Sequence, residues 1–302
     1  MRKIYGIGEA LLDVIFRNNI PVCANAGGST LNSMVSLGRM GNNVSFIGET
    51  GDDHVGGIIR HALSGNGICC DFLSRRPNCQ STVAMAFLNE NNDAEYQFYK
   101  DDAVMSFPDA IPDFKPDDIV LFGSFFALNP VIRPRLKNLL NIARNNGALI
   151  IYDPNFRKSH SLGGLIQTFE DNFSLAHIVR GSNEDFCNIY GIDSEKEMNE
   201  KVKRFCSNVI ITANSSHVSL NTEHLTERFD VPKIETVSTV GAGDSFNAGL
   251  IHGIIKLGIT TKDIRHLNKE SWRNIIDMGI KFASEVCCST ENYVPIELKV
   301  EN

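Results

Sequence analysis

Short β-branched runs alternate along this 302-residue chain with longer stretches in which apolar side chains return every third or fourth position. The runs KIYGIGE, NVSFIGE, DIVLFGS, ALIIYD, AHIVR and VIITA have strand length and a β-branched or aromatic centre, which predicts strands buried on both faces. Several lead into helical spacing. Leu136, Leu139, Leu140 and Ala143 fall at i, i+3, i+4 and i+7, and Gly147 stands where such a helix would end in the left-handed region. Strand, helix and strand in succession predict an α/β fold built on a mostly parallel sheet wrapped by helices.

Two segments depart from this rhythm. Residues 14–23 and 81–100 both read as strands without a crossover helix, the second as a hairpin turning at the polar string NENND, Asn89 to Asp93. They predict a small accessory sheet, which either extends the edge of the main sheet or forms a lid that excludes water from a reactive group. No repeat, low-complexity tract or linker interrupts the chain, so residues 1–302 are expected to form one domain with these two segments inserted.

Composition narrows the classes of partner. A length of 302 residues with 42% hydrophobic content suits one large domain with a well-buried core. The 29 Lys and Arg against 36 Asp and Glu leave a net charge of −7 with no basic block, which argues against a nucleic-acid partner. Glu9 and Asp13 interrupt the apolar N-terminal run, and no apolar stretch is long enough to span a bilayer, so a soluble, cytoplasmic protein without membrane contact is expected. The eight cysteines include the adjacent pairs Cys69–Cys70 and Cys287–Cys288 but no C-x-x-C and no zinc-type spacing, and they read as reduced core residues.

The candidate chemistry sits in VSTVGAGDSFNAGL, residues 237–250. After Asp244, the apolar residues Phe246, Leu250, Ile254 and Leu257 mark one face of a helix, so Gly241, Ala242 and Gly243 form the turn that opens it. Unpaired N–H groups and the positive end of the helix dipole suit that turn to an anion. No lysine follows, so it is not a P-loop, and Phe246 occupies the third position of a dinucleotide fingerprint, as Leu11 does in GIGEAL. Asp244 reads either as a helix cap or as a base beside an anion hole; Ser238 and Thr239, just upstream, already offer capping oxygens.

VGAGDSFNAG resembles the signature of ribokinase-like carbohydrate kinases, the phosphofructokinase B family. The resemblance implies a three-layer α/β/α sandwich with a β-sheet lid. It also implies that Asp244 takes the proton from a sugar hydroxyl while Gly241, Ala242 and Gly243 hold the transferring phosphoryl group. GEALLD is similar to the family's first strand, with Asp13 on sugar hydroxyls. AGGSTLNSMVSLGRMG resembles the second signature, in which Gly27 and Gly28 admit the sugar and Asn32 offers it an amide able to donate and accept. Without the family, Asn32 is a polar residue in a helix whose apolar positions are Leu31, Met34 and Val35. GETGDDHVG matches the turn that follows in these kinases, and is equally a Gly/Asp turn capping the next helix. DPNFR resembles fructokinases and 2-keto-3-deoxygluconate kinases. As the carboxyl end of a strand it would bring Asn155 and Arg157 to the ligand crevice, Arg157 as a cation for the transition state.

The chain also departs from the pattern. Where the family has T-x-G-x-x-G before the nucleotide site, this chain has TANSSHV, with Thr212 retained and Asn214 and His217 in the glycine places. Ser182 and Asp185 stand for an Asn and a Glu that organise metal-bound water, and Ser238 for an acidic residue that helps hold a monovalent cation, so the sequence does not predict potassium activation. Together the resemblances imply an ATP- and Mg²⁺-dependent sugar kinase, fructose first and a keto-deoxy acid sugar second, for which Arg157 and Lys100 would be the cationic partners. A non-catalytic sugar or nucleotide sensor is the rival from another class. Exposed lid strands make a homodimer plausible.

Overall fold

All six apolar runs become strands of one sheet. The computed structural model describes residues 2–88, 94–101, 107, 110–156, 164–296 and 298. Its first elements are β1 (Ile4–Ile7), β2 (Leu11–Arg17), β3 (Ile20–Gly27), α1 (Ser29–Arg39), β4 (Val44–Gly51), α2 (His54–Gly65), β5 (Ile68–Cys69), β6 (Leu73–Arg76), β7 (Thr82–Leu88) and β8 (Ala94–Tyr99). Then come β9 (Ile119–Gly123), α3 (Arg133–Asn145), β10 (Leu149–Asp153), α4 (Ile166–Leu175), β11 (Ile178–Ser182), α5 (Asn183–Tyr190) and α6 (Glu195–Val202). The chain continues through β12 (Val209–Ala213), β13 (His217–Asn221), β14 (Thr226–Asp230), α7 (Ala242–Lys256) and α8 (Lys269–Cys287).

The main sheet runs β14-β13-β12-β11-β10-β9-β1-β4-β5, with β6 paired to β4. It is parallel except at β12–β13 and β13–β14. Strand alternation sorts side chains into two layers. Ile119 and Leu121 of β9 join the core under α1, α2, α7 and α8, whereas Val120 and Phe122 join the core under α3 to α6. The result is an α/β/α sandwich. Because β4 and β9 flank β1, the strand order reverses there, which opens a crevice at the carboxyl ends of the strands.

Local signals hold in detail at α3. Leu136, Leu139, Leu140 and Ala143 are all buried, and Gly147, at φ 84°, closes a Schellman cap in which Ala148 N–H donates to the Ala143 carbonyl and Gly147 N–H to that of Arg144. At α7 the expected face is one residue too long: the helix ends at Lys256, and Leu257 is 44% exposed at its C-cap. The strands β5, β6, β13 and β14 had no clear sequence signal. β14 is a mostly exposed, charged edge strand, TERFD.

A second, four-stranded sheet has the order β3-β2-β7-β8. Its first hairpin begins at Leu11, before the 14–23 stretch, so Asp13 lies inside β2; Asn18 and Asn19, at φ 52° and 62°, form its two-residue turn. β7 and β8 pair antiparallel, and the turn expected at Asn89 to Asp93 lies outside the described residues. All eight cysteines are free, and no described helix is long and apolar enough to cross a membrane.

Candidate active site

The site is assembled where two helices start. Half-buried Ser29 and buried Asn32, Ser33 and Ser36 follow the i, i+3, i+4, i+7 spacing along α1 and present a polar stripe to the first turn of α7. Ser29 Oγ donates to Asp244 Oδ1 at 2.8 Å and Asn32 Nδ2 to Oδ2 at 2.9 Å. Ser33 Oγ donates to the Asp244 carbonyl at 2.8 Å, and Ser36 Oγ lies 3.3 Å from Ser245 Oγ. Asp244 is therefore held by side chains of another helix and makes no cap bond to its own backbone.

Only 9% of Asp244 is exposed. Burial pushes its carboxyl up to about 6; the bonds from Asn32 and Ser29 oppose the rise, the nearby Asp153 carboxylate adds to it and the Arg180 cation resists it. Such a group is ionised above neutral pH yet basic enough to accept a proton. The Asn32 side-chain oxygen is buried and has no partner among the described residues, leaving an acceptor for a hydroxyl donor.

The turn before Asp244 is open to an anion, with one change from expectation. Gly241 caps α7 at φ 79°, and a Cβ there would lie 2.1 Å from the Asn292 carbonyl oxygen, so only glycine fits. The amides of Gly241, Gly243 and Asp244 have no acceptor among the described residues, but that of Ala242 donates to Thr239 O at 3.3 Å. The amides left without an acceptor are thus those of Gly241, Gly243 and Asp244 in place of the expected 241–243 run.

Gly27 and Gly28 serve close packing of the chain itself. A Cβ on Gly27 would overlap the Asp13 carboxylate, and one on Gly28, at φ 124°, would lie 2.3 Å from the Glu9 carbonyl oxygen. These contacts draw Asp13 and the end of β1 against the start of α1. Beside them, a cleft between the two sheets is lined by Glu9, Glu49, Arg76, Ser81, Thr82 and Lys100 among others; Asp244 is not on its wall. Lys100 pairs with Glu9 at 3.2 Å, and Arg76 with Glu49 at 3.2 Å.

Of the DPNFR residues, Asn155 adopts φ 37° and its amide donates to Asp153 Oδ1 at 3.0 Å, while Arg157 lies outside the described residues. Ser182 and Asp185 form a capping box on α5. Asp185 accepts from Phe156 N on one oxygen and from Ser182 N and Oγ on the other, so the side chain expected to organise metal-bound water is engaged in capping. Burial, then the Asp153 carboxylate, pushes it above the usual carboxylate range. No group of three His, Cys, Asp or Glu among the described residues is arranged to ligate a metal.

In the TANSSHV loop, Asn214 takes φ 48°, the left-handed backbone that glycine would favour. His217, paired with Ala213 at the end of β12, has its Nε2 2.8 Å from Glu195 of α6. Thr212 Oγ1 accepts from Arg180 Nη2 at 2.8 Å. The sequence pattern does not single out Ser29, Asp153, Arg180 or Asn247. The signal for Ser29 was available, three residues before Asn32 and so on the same helical face; Arg180 had none, being one charge in an apolar strand.

Comparison with known proteins agrees with this geometry. Residues 4–298 match the pfkB family carbohydrate kinases. The chain is 23% identical over 256 residues to aminoimidazole riboside kinase of Salmonella typhimurium, covering 83% of this chain and 80% of that protein. It is 22% identical over 286 residues to fructokinase of Escherichia coli, covering 92% and 90%. Among solved structures, a fructokinase double mutant from Vibrio cholerae, bound to fructose, ADP and potassium ion, superposes with a TM-score of 0.86 at 18% identity, covering 97% of this chain and 94% of that one.

Proposed function

This chain belongs to the pfkB family of carbohydrate kinases, and from that premise we propose that it transfers the γ-phosphoryl group of ATP to a hydroxyl of a neutral sugar, fructose first. The observation that carries the reading is the Asp244 carboxylate, anchored by Ser29 and Asn32 beside the unpaired amides of Gly241, Gly243 and its own residue. Asp244 accepts the hydroxyl proton as the hydroxyl oxygen bonds to phosphorus and the bond to the departing ADP oxygen breaks. The amides receive the negative charge of the transferring group without reorganising. Asn32 accepts a sugar hydroxyl through its unpartnered oxygen, and Asp13 takes hydroxyls from the β2 side. The family's pattern gives Thr212 and Asn155 to the nucleotide and Arg157, outside the described residues, to the transition state as a cation. Mg²⁺ would supply charge neutralisation at the phosphates of ATP, and Asp185, which the family pattern assigns to its water, caps α5 here.

A neutral sugar is favoured over an acid sugar because both cations among the described residues lining the cleft already face carboxylates, Lys100 on Glu9 and Arg76 on Glu49. An acidic substrate would have to displace them. The relatives named for fructose and the one solved with fructose and ADP support the same choice. The second sheet acts as the lid, and its exposed Ile20, Val22, Phe98 and Tyr99 provide surface for a homodimer, which the molecular mass in solution tests.

The direct experiment mixes purified protein with ATP, Mg²⁺ and a panel of sugars and follows ADP release. Fructose is expected to give the highest kcat/KM. Faster turnover of a carboxylated sugar overturns the substrate choice, and no ADP with any sugar turns the reading to a sensor.

A further inference from the structure

Behind the site, three carboxyl groups share one cation. Asp153 at the end of β10, Asp185 at the start of α5, Asp244 at the start of α7 and Arg180 within β11 are each less than a tenth exposed. Arg180 is fixed from several sides. Its Nη1 donates to Asp153 Oδ2 at 2.9 Å and its Nη2 to Thr212 Oγ1 at 2.8 Å, and its guanidinium lies 5.3 Å from the Phe246 ring centroid. Asp153 Oδ2 also accepts from Asn247 Nδ2, so the ion pair is tied to α7 one turn beyond Asp244. The guanidinium lies against the first turn of that helix, where a Cβ on Gly243 would come within 3.0 Å of Nη1 and 3.3 Å of Nη2.

Stability is a poor explanation for this pair. Desolvating two charges offsets most of their attraction, and apolar side chains of similar volume often serve a fold as well. Here Arg180 Nε is buried without an acceptor among the described residues, a further cost.

We propose that the Asp153–Arg180 pair is a positioning device for the reaction: it locks one cation against the first turn of α7, where that cation offsets the carboxylate charge that Asp244 meets from Asp153. This rests on the reading of Asp244 as the base. The charged and polar groups acting on Asp244 are Ser29 and Asn32 of α1, which bond it, and the Asp153 carboxylate of β10 and the Arg180 cation of β11, which also act on Asp185 of α5. Arg180 is the one cation among them. Removing it leaves like charges facing one another and favours protonated Asp244; neutralising Asp153 does the reverse.

The test reads Asp244 directly. Infrared difference spectra of substrate-free protein, wild type minus D244N, report its carboxyl-to-carboxylate midpoint, and the same difference is taken in each variant background. The midpoint is expected to rise by about one pH unit in R180M, to fall by a similar amount in D153N and to stay near wild type in R180K. The acid limb of kcat/KM, measured with ATP and fructose, should move with it. If R180M does not fold, the comparison is D153N against D153N/R180M, expected to show the same upward step. Midpoints that stay put, or move together in R180M and D153N, overturn the proposal. Shifted midpoints with full turnover in D244N would instead remove the base assignment and leave the charge relation standing.

Discussion

The N-termini of α5 and α7 make an instructive pair. Each carries an aspartate in its first turn, each aspartate is buried, and burial pushes both carboxyls above the usual carboxylate range. They differ in where the oxygens go. Asp185 turns back on Ser182 and takes Phe156 N, so local backbone donors are satisfied and little is left to react. Asp244 reaches across to α1, and its own turn keeps amides without acceptors. A carboxylate that satisfies its own helix is structural; one held by a neighbouring helix leaves the helix start available to a ligand.

The sharpest way to break this contrast is to neutralise each acid. D244N is expected to lower kcat by about 10²–10⁴-fold with little change in KM, the range for a lost general base, whereas D185N should retain most turnover. Steady-state kinetics on both variants decide it; equal losses would erase the distinction. Next in size is the backbone of the α7 turn. G241A should lower stability by about 1–3 kcal/mol, from its left-handed φ with the Asn292 carbonyl against the new Cβ, as seen in urea unfolding. D185A should cost about 1–2 kcal/mol in the same assay, the value of a helix cap.

A pH series sharpens the comparison further. Folded Asp244 titrates at about 6 against 3.8 for the ordinary value, so the native state binds more protons than the unfolded state between those limits. Its contribution to stability is therefore greatest below about pH 4 and is lost as pH rises through 6. D244N should remove that slope and raise the Tm at pH 7.5, which calorimetry across pH would reveal. The smallest effect belongs to the cleft: K100M breaks a half-exposed pair with Glu9, so stability should change by less than about 1 kcal/mol.

Much of this architecture was legible beforehand because it is encoded locally. Short apolar runs alternating with helical stripes read as buried strands, the 136–143 stripe has to be covered by another element, and a glycine at 147 suits a left-handed cap. The glycine turn before Asp244 was legible for the same reason. Edge strands such as β14 were not, since half-exposed charged segments carry no clear period. At the site, the stripe of Ser29, Asn32, Ser33 and Ser36 had the right spacing to be found, but polar residues at helical spacing ordinarily face water.

What the chain determined by itself is therefore the set of elements, their sequence and the chemical identity of the turn that opens α7. Tertiary structure alone decided which charges meet. Asp244 joins Asn32 across 212 residues, and Asp153 joins Arg180 across 27 and Asn247 across 94. Periodicity reports which way a side chain points from its own element, whereas the partner it finds depends on the order in which strands enter the sheet. That order is set by the packing of the whole core, so the buried ion pair behind α7 has no signature in any short stretch of sequence.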